Sequence, residues 1–408
     1  MSRTPFTLYL IAQASATLAS SMLPVAVGWH LYERTGDAFD LALVGLVQIV
    51  PICGLFLVSG WVIDNVQRKL VLVACSALQG LLLVALTSAL GVDQFTRTAV
   101  FTLLFLNGVA RAFLMPAGQS VLPGIVKQDY LPRAVAISST VWTASGAAGP
   151  FAAGLLIAWL DVGVYQLLSV LAFLSGAMYL FLPSLEVRRT AGRGLTQLLS
   201  GIRYIAKSPL LLPAISLDLV IVLVGSVVVL LPVFAVEILN VGPEALGTMR
   251  AMPAVGAVVA GILLARLPPM RSAGRLLFFA LGVFAISILV FAVSHSLWLS
   301  LVALFIYGAS DMVSVNIRMT VVHSSTPDEL RGRVNSVNSL FISTSNDMGD
   351  FRAGAVAAVI GPAAATLIGG LMAAIVAIGG YALFPRLRRL DKLTDATVDQ
   401  AISTVKQR

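Results

Sequence analysis

Residues 145–154 read SGAAGPFAAG, and residues 345–354 read SNDMGDFRAG. At an offset of 200 residues they share Ser145/Ser345, Gly149/Gly349, Phe151/Phe351, Ala153/Ala353 and Gly154/Gly354. FLNGVAR (105–111) and FIYGASD (305–311) keep the same offset, matching Phe105 to Phe305, Gly108 to Gly308 and Arg111 to Asp311. The segments QDYLPR (128–133) and PDELRGR (327–333) match as well, with one inserted residue. A single match of this kind is weak, but several at one offset describe a chain built twice.

What is built twice follows from composition. The chain of 408 residues is 58% apolar and 11% charged, with a mean hydropathy of +0.94; soluble domains carry roughly a quarter charged residues. A helix crossing a bilayer needs about 20 mostly apolar residues. Such stretches fall near 5–32, 40–62, 70–90, 98–117, 134–158, 164–183, 209–236, 246–266, 275–293, 297–318, 334–358 and 362–384. The segment 334–358 carries Asn335, Asn338, Ser343, Thr344, Ser345 and Asn346 besides its charges, and hydropathy alone would reject it. Its match to the fifth stretch makes it the eleventh. The expected fold is all-α: twelve transmembrane helices in two six-helix pseudo-symmetric bundles around a central pathway. The first stretch is too long for a signal-peptide core and has no convincing cleavage site.

Charge placement sets orientation. With both termini cytoplasmic, 22 of the basic residues fall in inner connections, Arg318 among them, and only Arg34 and Arg97 in outer ones. That split follows the positive-inside rule. The net charge of +8 is therefore a topology device, and no nucleic-acid partner is expected. The domain reading is a bundle at 1–183, a linker at 184–208, a second bundle at 209–385 and a basic tail at 386–408. Within the linker, Leu195, Leu198, Leu199, Ile202 and Ile205 recur at helical spacing beside Arg203 and Lys207, which reads as a short amphipathic helix on the inner membrane surface. Cys53 and Cys75 lie inside spans and read as packing residues. No GxxxxGK[ST] loop, HExxH site or G-x-S-G signature is present, so neither an enzyme, a cofactor nor a metal site is expected.

Charges inside spans are expensive and face protein or water rather than lipid. The acidic ones are Asp218, Asp311, Asp347 and Asp350; the basic ones are Arg111, Arg250 and Arg352. At about 100° per residue Asp347 and Asp350 share a helix face, whereas Arg352 points about 200° from Asp350 and cannot bridge to it. Each needs a partner on another helix or a water. Arg111 and Asp311 occupy equivalent inner-half positions. His30, beside Trp29, Tyr32 and Glu33, reads as an interfacial anchor. Trp29, Trp142, Tyr307 and Phe341 are the aromatic candidates for contact with an amphipathic molecule.

GWVIDNVQRK (60–69) resembles the motif between spans two and three of the major facilitator superfamily. Gly60, Asp64, Arg68 and Lys69 match, while Asn65 and Gln67 depart from it. GAAGPFAAG (146–154) resembles that superfamily's exporter motif through Gly146, Gly149, Pro150 and Gly154, with Ala153 at a usual glycine position. GWHLYERTGD (28–37), ARAFLMPAGQS (110–120) and HSSTPDELRGRVNS (323–336) are similar to its branch of siderophore and macrolide exporters, which includes the enterobactin exporter. The resemblance implies a monomeric secondary transporter of the cytoplasmic (inner) membrane. It would export a small molecule, a siderophore or a drug-like compound, in exchange for protons. It further implies that Asp64 takes part in a cytoplasmic latch. In such a protein Asp347, Asp350, Asp218 and Asp311 are the proton-coupling candidates. A carboxylate that is desolvated holds its proton, and one brought near an arginine releases it.

Overall fold

The computed structural model describes residues 3–91, 96–183, 194–266 and 272–390. Among these residues every regular element is a helix. The basic tail beyond residue 390, the first part of the linker, and the side chains of Asp64, His323 and residues 194–199 lie outside the described set.

The first unit takes in Met1–Gly194 and Val241–Ala251, the second Leu195–Asn240 and Met252–Arg408. The first holds α1 (Arg3–Thr35), α2 (Ala38–Gly54), α3 (Phe56–Asn65), α4 (Arg68–Gly91), α5 (Arg97–Ile125), α6 (Leu131–Leu160) and α7 (Val164–Leu180). Then come α8 (Gly194–Lys207), α9 (Leu211–Gly225), the single turn α10 (Leu231–Val233) and α11 (Pro243–Arg266). The chain closes with α12 (Ala273–Ala292), α13 (Leu297–Ser324), α14 (Asp328–Ile360), α15 (Pro362–Leu383) and the short α16 (Pro385–Arg388).

Nine helical stretches among the described residues are long and apolar enough to cross a membrane. One of them, Arg133–Leu180, has 48 residues and runs from near the start of α6 to the end of α7. The second predicted span is broken at Leu55 into α2 and α3, and the apolar α2 has only 17 residues. The eleventh, α14, runs 33 residues unbroken but is too polar to qualify by hydropathy.

The sequence repeat is realised as repeated packing. In the first unit α1 lies against α6 and α7, and α4 against α5 and α7; in the second α9 lies against α14 and α15, and α12 against α13 and α15. In lipid no hydrophobic force drives apolar helices together, so close backbone approach at small residues takes over. The matched glycines do this: a Cβ on Gly108 would strike Gln48 and Pro51 of α2, and one on Gly308 would strike Pro253 of α11. Gly149 likewise meets Ser21 of α1, and Gly349 meets Val222 and Ser226 at the end of α9.

Candidate functional site

The second unit is interrupted where its first long helix should continue. α9 stops at Gly225, Ser226 is extended (φ −64, ψ 128), and the chain resumes as a 3-10 turn at Val228–Leu230. After α10 it passes through a π-helical turn at Phe234–Ile238. A helix end leaves its last four carbonyls without intrahelical partners, and in a membrane they must be satisfied by protein.

The cluster 345–354 answers that break. Arg352 Nε donates to Leu223 O at 2.9 Å and Nη2 to Val224 O at 2.7 Å. A guanidinium at a helix C-terminus also meets the negative end of the helix dipole. One turn away, the Ser226 hydroxyl donates to Asp350 Oδ1. Asp350 and Arg352 thus engage α9 separately, as their opposed helical phase requires. Tyr307 of α13 stacks on Phe284 of α12, ring centroids 4.4 Å apart, and lies within electrostatic reach of Asp311 and Asp350. α9, α13 and α14 therefore gather Ser226, Tyr307, Asp311, Asp350 and Arg352 inside one unit. Asp347 lies half-buried on the same face of α14 as Asp350.

A second charge site lies further along the same helices. The buried side chain of Asp218 on α9 forms an ion pair with Arg318 Nη1 on α13, and Arg318 Nε donates to Ser314 Oγ at 3.1 Å. The sequence reading put Arg318 in an inner loop. α13 instead continues to Ser324 and buries it, 7% exposed. Hydropathy could not detect this, because the compensating charge is about 100 residues away in sequence. A small void beside Arg318 is lined by Ala214, Val315, Met319, Asn338 and Ile342.

The first unit places its polar groups differently. Arg111 of α5 donates to Gln48 Oε1 of α2 at 3.1 Å. Arg250, at the start of α11, is half-buried. Arg68 Nη1 donates to Ser120 O at 3.0 Å and ties the start of α4 to α5, and Lys69 beside it is half-buried. Gly60 is exposed, and a Cβ there would meet nothing within 4 Å among the described residues. In the exporter-type segment Gly149 and Gly154 are tight, Gly154 lying backbone to backbone against Gly247. A Cβ at Gly146 would reach only Thr17 at 4.0 Å, and Pro150 stands inside an unbroken α6. Trp142 is 54% exposed, whereas Trp29 and Phe341 are half-buried.

His30 is not an interfacial anchor. It is 3% exposed, with Nε2 3.0 Å from Asp161 Oδ1 and Nδ1 3.0 Å from the Tyr165 hydroxyl. It pins α1 to the turn between α6 and α7. The linker helix α8 is held by the second unit: Tyr204 donates to Ser325 O at 2.8 Å, and Arg333 to Ser200 at 3.3 Å. Ile205 is buried there, while Arg203 and Lys207 remain exposed.

A helical membrane protein built twice, with a broken helix answered by buried charges, is organised as a solute transporter. The chain belongs to the Major Facilitator Superfamily, whose family profile matches residues 9–346. The enterobactin exporter EntS of Citrobacter koseri is 23% identical over 395 residues, covering 94% of this chain and 92% of that protein. The multidrug efflux pump Tap of Mycolicibacterium fortuitum is 26% identical over 417 residues, covering 95% and 98%. Among solved structures, the nucleoside transporter NupG aligns with a TM-score of 0.72 at 14% identity, covering 94% of this chain and 99% of that one. A bacterial homologue of the iron transporter ferroportin aligns at 0.68 and 16%, covering 95% and 100%. At those identities the solved structures speak to the fold alone.

Proposed function

We propose that this transporter exports a small molecule from the cytoplasm by alternating access in exchange for protons, with a siderophore as its first substrate class. In this reading the chain crosses the inner membrane twelve times as a monomer with both termini cytoplasmic. The observation that supports export is the likeness, over nearly the whole chain, to an enterobactin exporter and a multidrug efflux pump. Tap supports the second reading, a macrolide or other drug-like substrate.

Asp350 is the first proton carrier in this proposal, because it meets the neutral Ser226 hydroxyl, which can bond either protonation state of the carboxyl group. Asp347 and Asp311 stand near it, and Asp218 is the rival beside Arg318. Arg352, held on backbone carbonyls, is the fixed part of the site. Arg111 and Arg250 are the charge partners on the first unit's helices, and Trp29, Trp142, Tyr307 and Phe341 the aromatic contacts for substrate. The latch role of Gly60, Asp64, Arg68 and Lys69 belongs to the same reading.

Everted vesicles carrying the protein test it. With an acid interior they should accumulate a catecholate siderophore, and collapse of the pH gradient should stop uptake. Flux that ignores the gradient would remove proton coupling. Binding without flux in proteoliposomes would instead make the chain a receptor on a transporter fold.

A further inference from the structure

The N-terminus of α12 does not use the cap that its sequence offers. Ser272 is a favoured residue type at this position, but its backbone is left-handed (φ 62, ψ 44), and its side chain makes no capping hydrogen bond among the described residues. A helix start leaves four N–H groups without intrahelical partners. Gly274, the second residue of α12, donates its N–H to Leu390 O at 3.0 Å. The acceptor lies beyond α15, just past the end of α16.

Residues 385–390 are laid against α12 by more than this bond. Leu387 and Leu390 are buried. A Cβ on Gly274 would strike the carbonyl oxygens of Leu387 and Arg388, so the two backbones approach as closely as glycine alone allows. Arg388 Nη1 donates to Tyr381 O at 3.3 Å, and its guanidinium lies 4.6 Å from the centre of the Tyr381 ring. That ring meets Phe278 of α12 edge-on, with centroids 5.5 Å apart. A cation at a helix N-terminus would oppose the dipole. Here Arg388 is engaged by α15, and it is backbone carbonyls, carrying partial negative charge, that meet the start of α12.

We propose that residues 385–390 are a strap that caps α12 in place of Ser272 and clamps its first turn to α15. In this reading the second bundle extends to Leu390, past the boundary at 385 that charge alone suggests. Lifting the strap uncaps Gly274 and exposes Leu387 and Leu390, while the packing of α12 along α13 and α15 stays in place. The strap is therefore where the second unit opens first, a local event that needs far less free energy than global unfolding.

Amide hydrogen exchange and thermal unfolding of the full-length protein in detergent test this. Leu387→Ser with Leu390→Ser unseats the strap, and the first-turn amides of α12, Gly274 above all, should then exchange about tenfold faster, the worth of one hydrogen bond. Gly274→Ala in the otherwise unaltered chain should lower the unfolding midpoint, because its methyl group meets Leu387 and Arg388. With the strap already unseated the same change should raise the midpoint, because alanine is the better helix former. A segment that merely lies nearby would not produce that reversal of sign. Unchanged exchange at the start of α12 in the double-serine variant overturns the proposal, as does a Gly274→Ala effect of the same sign in both chains. Where the double-serine chain does not fold, Gly274→Ala alone carries the test: it too should speed first-turn exchange about tenfold, and a rate equal to that of the unaltered protein overturns the proposal.

Discussion

α6 and α14 occupy equivalent places in the repeat and solve the same packing problem with opposite chemistry. Gly149 brings α6 onto α1, and Gly349 brings α14 onto α9. Beside these glycines the first unit has Pro150 and Ala152, where the second has Asp350 and Arg352. The partner helix explains the difference. α1 runs unbroken from Arg3 to Thr35, whereas α9 ends at Gly225 and exposes carbonyls that Arg352 takes up. The two units share the contacts that hold these helices together, while the second has the broken α9 and the charges that make it tolerable.

The buried ion pair extends this contrast and should give the largest effect. At the positions equivalent to Asp218 and Arg318 the first unit has Leu18 and Gly118. Arg318→Ala strands a buried carboxylate and should cost about 3–5 kcal/mol of stability. Replacing both members, Asp218→Leu with Arg318→Leu, imports an apolar solution and should restore most of the loss. Thermal unfolding in detergent measures both. A single variant as stable as the unaltered protein would show that the pair is not closed off from water. If the double variant still couples flux to protons, Asp218 leaves the list of carriers.

The next effect belongs to the cap on α9. Arg352→Ala removes two charge-assisted donors from the carbonyls of Leu223 and Val224 and should cost about 2–3 kcal/mol, at roughly 1.5 kcal/mol for each. Arg352→Lys keeps the charge at the helix end but loses the forked geometry, so it should recover only about half. The equivalent change in the first unit, Ala152→Gly, should alter stability by less than about 1 kcal/mol. A large response to the first-unit change would mean that the two halves are not solving the problem differently.

Much of this was legible in sequence because the repeat constrains it. The identity of 345–354 as a membrane helix came from its match to 145–154, and the separate engagement of Asp350 and Arg352 from helical phase. The break in α9 was not legible: LVIVLVGSVVVLLPVF (219–234) carries no charge, and only Gly225, Ser226 and Pro232 mark it. Nor were long-range partners. Arg318 with Asp218, and His30 with Asp161 and Tyr165, join residues 100 or more positions apart, which periodicity cannot see. Where the signal was a spacing it could be read, and where it was a contact between distant helices it could not.

A smaller effect is expected at the turns that follow α6 and α14. Asp161 and Gly361, 200 residues apart, both adopt positive φ, 48° and 85°. Glycine bears this conformation freely, whereas another residue loses about 1 kcal/mol. The first unit retains an aspartate whose carboxylate reaches His30. Asp161→Ala loses that hydrogen bond and keeps the strain, and should cost about 1–2 kcal/mol. Asp161→Gly loses the bond but relieves the strain, and should fall within about 0.5 kcal/mol of the unaltered protein. If the two variants unfold together, backbone strain plays no part at this turn.

The smallest change in stability is expected at Asp350, where the functional contrast between the units is sharpest. Asparagine keeps an acceptor for the Ser226 hydroxyl in nearly the same volume, so Asp350→Asn should shift stability by less than about 1 kcal/mol. It removes the carboxyl group proposed to take and release the proton, so gradient-driven flux should fall by about two orders of magnitude while substrate binding persists. Ser226→Ala provides the control: it removes the hydroxyl and leaves the carboxylate able to titrate, so flux should be reduced but still follow the gradient. If Asp350→Asn transports as the unaltered protein does, the charge at 350 serves the helix break alone. The second unit's cluster would then be architecture, as Pro150 is in the first.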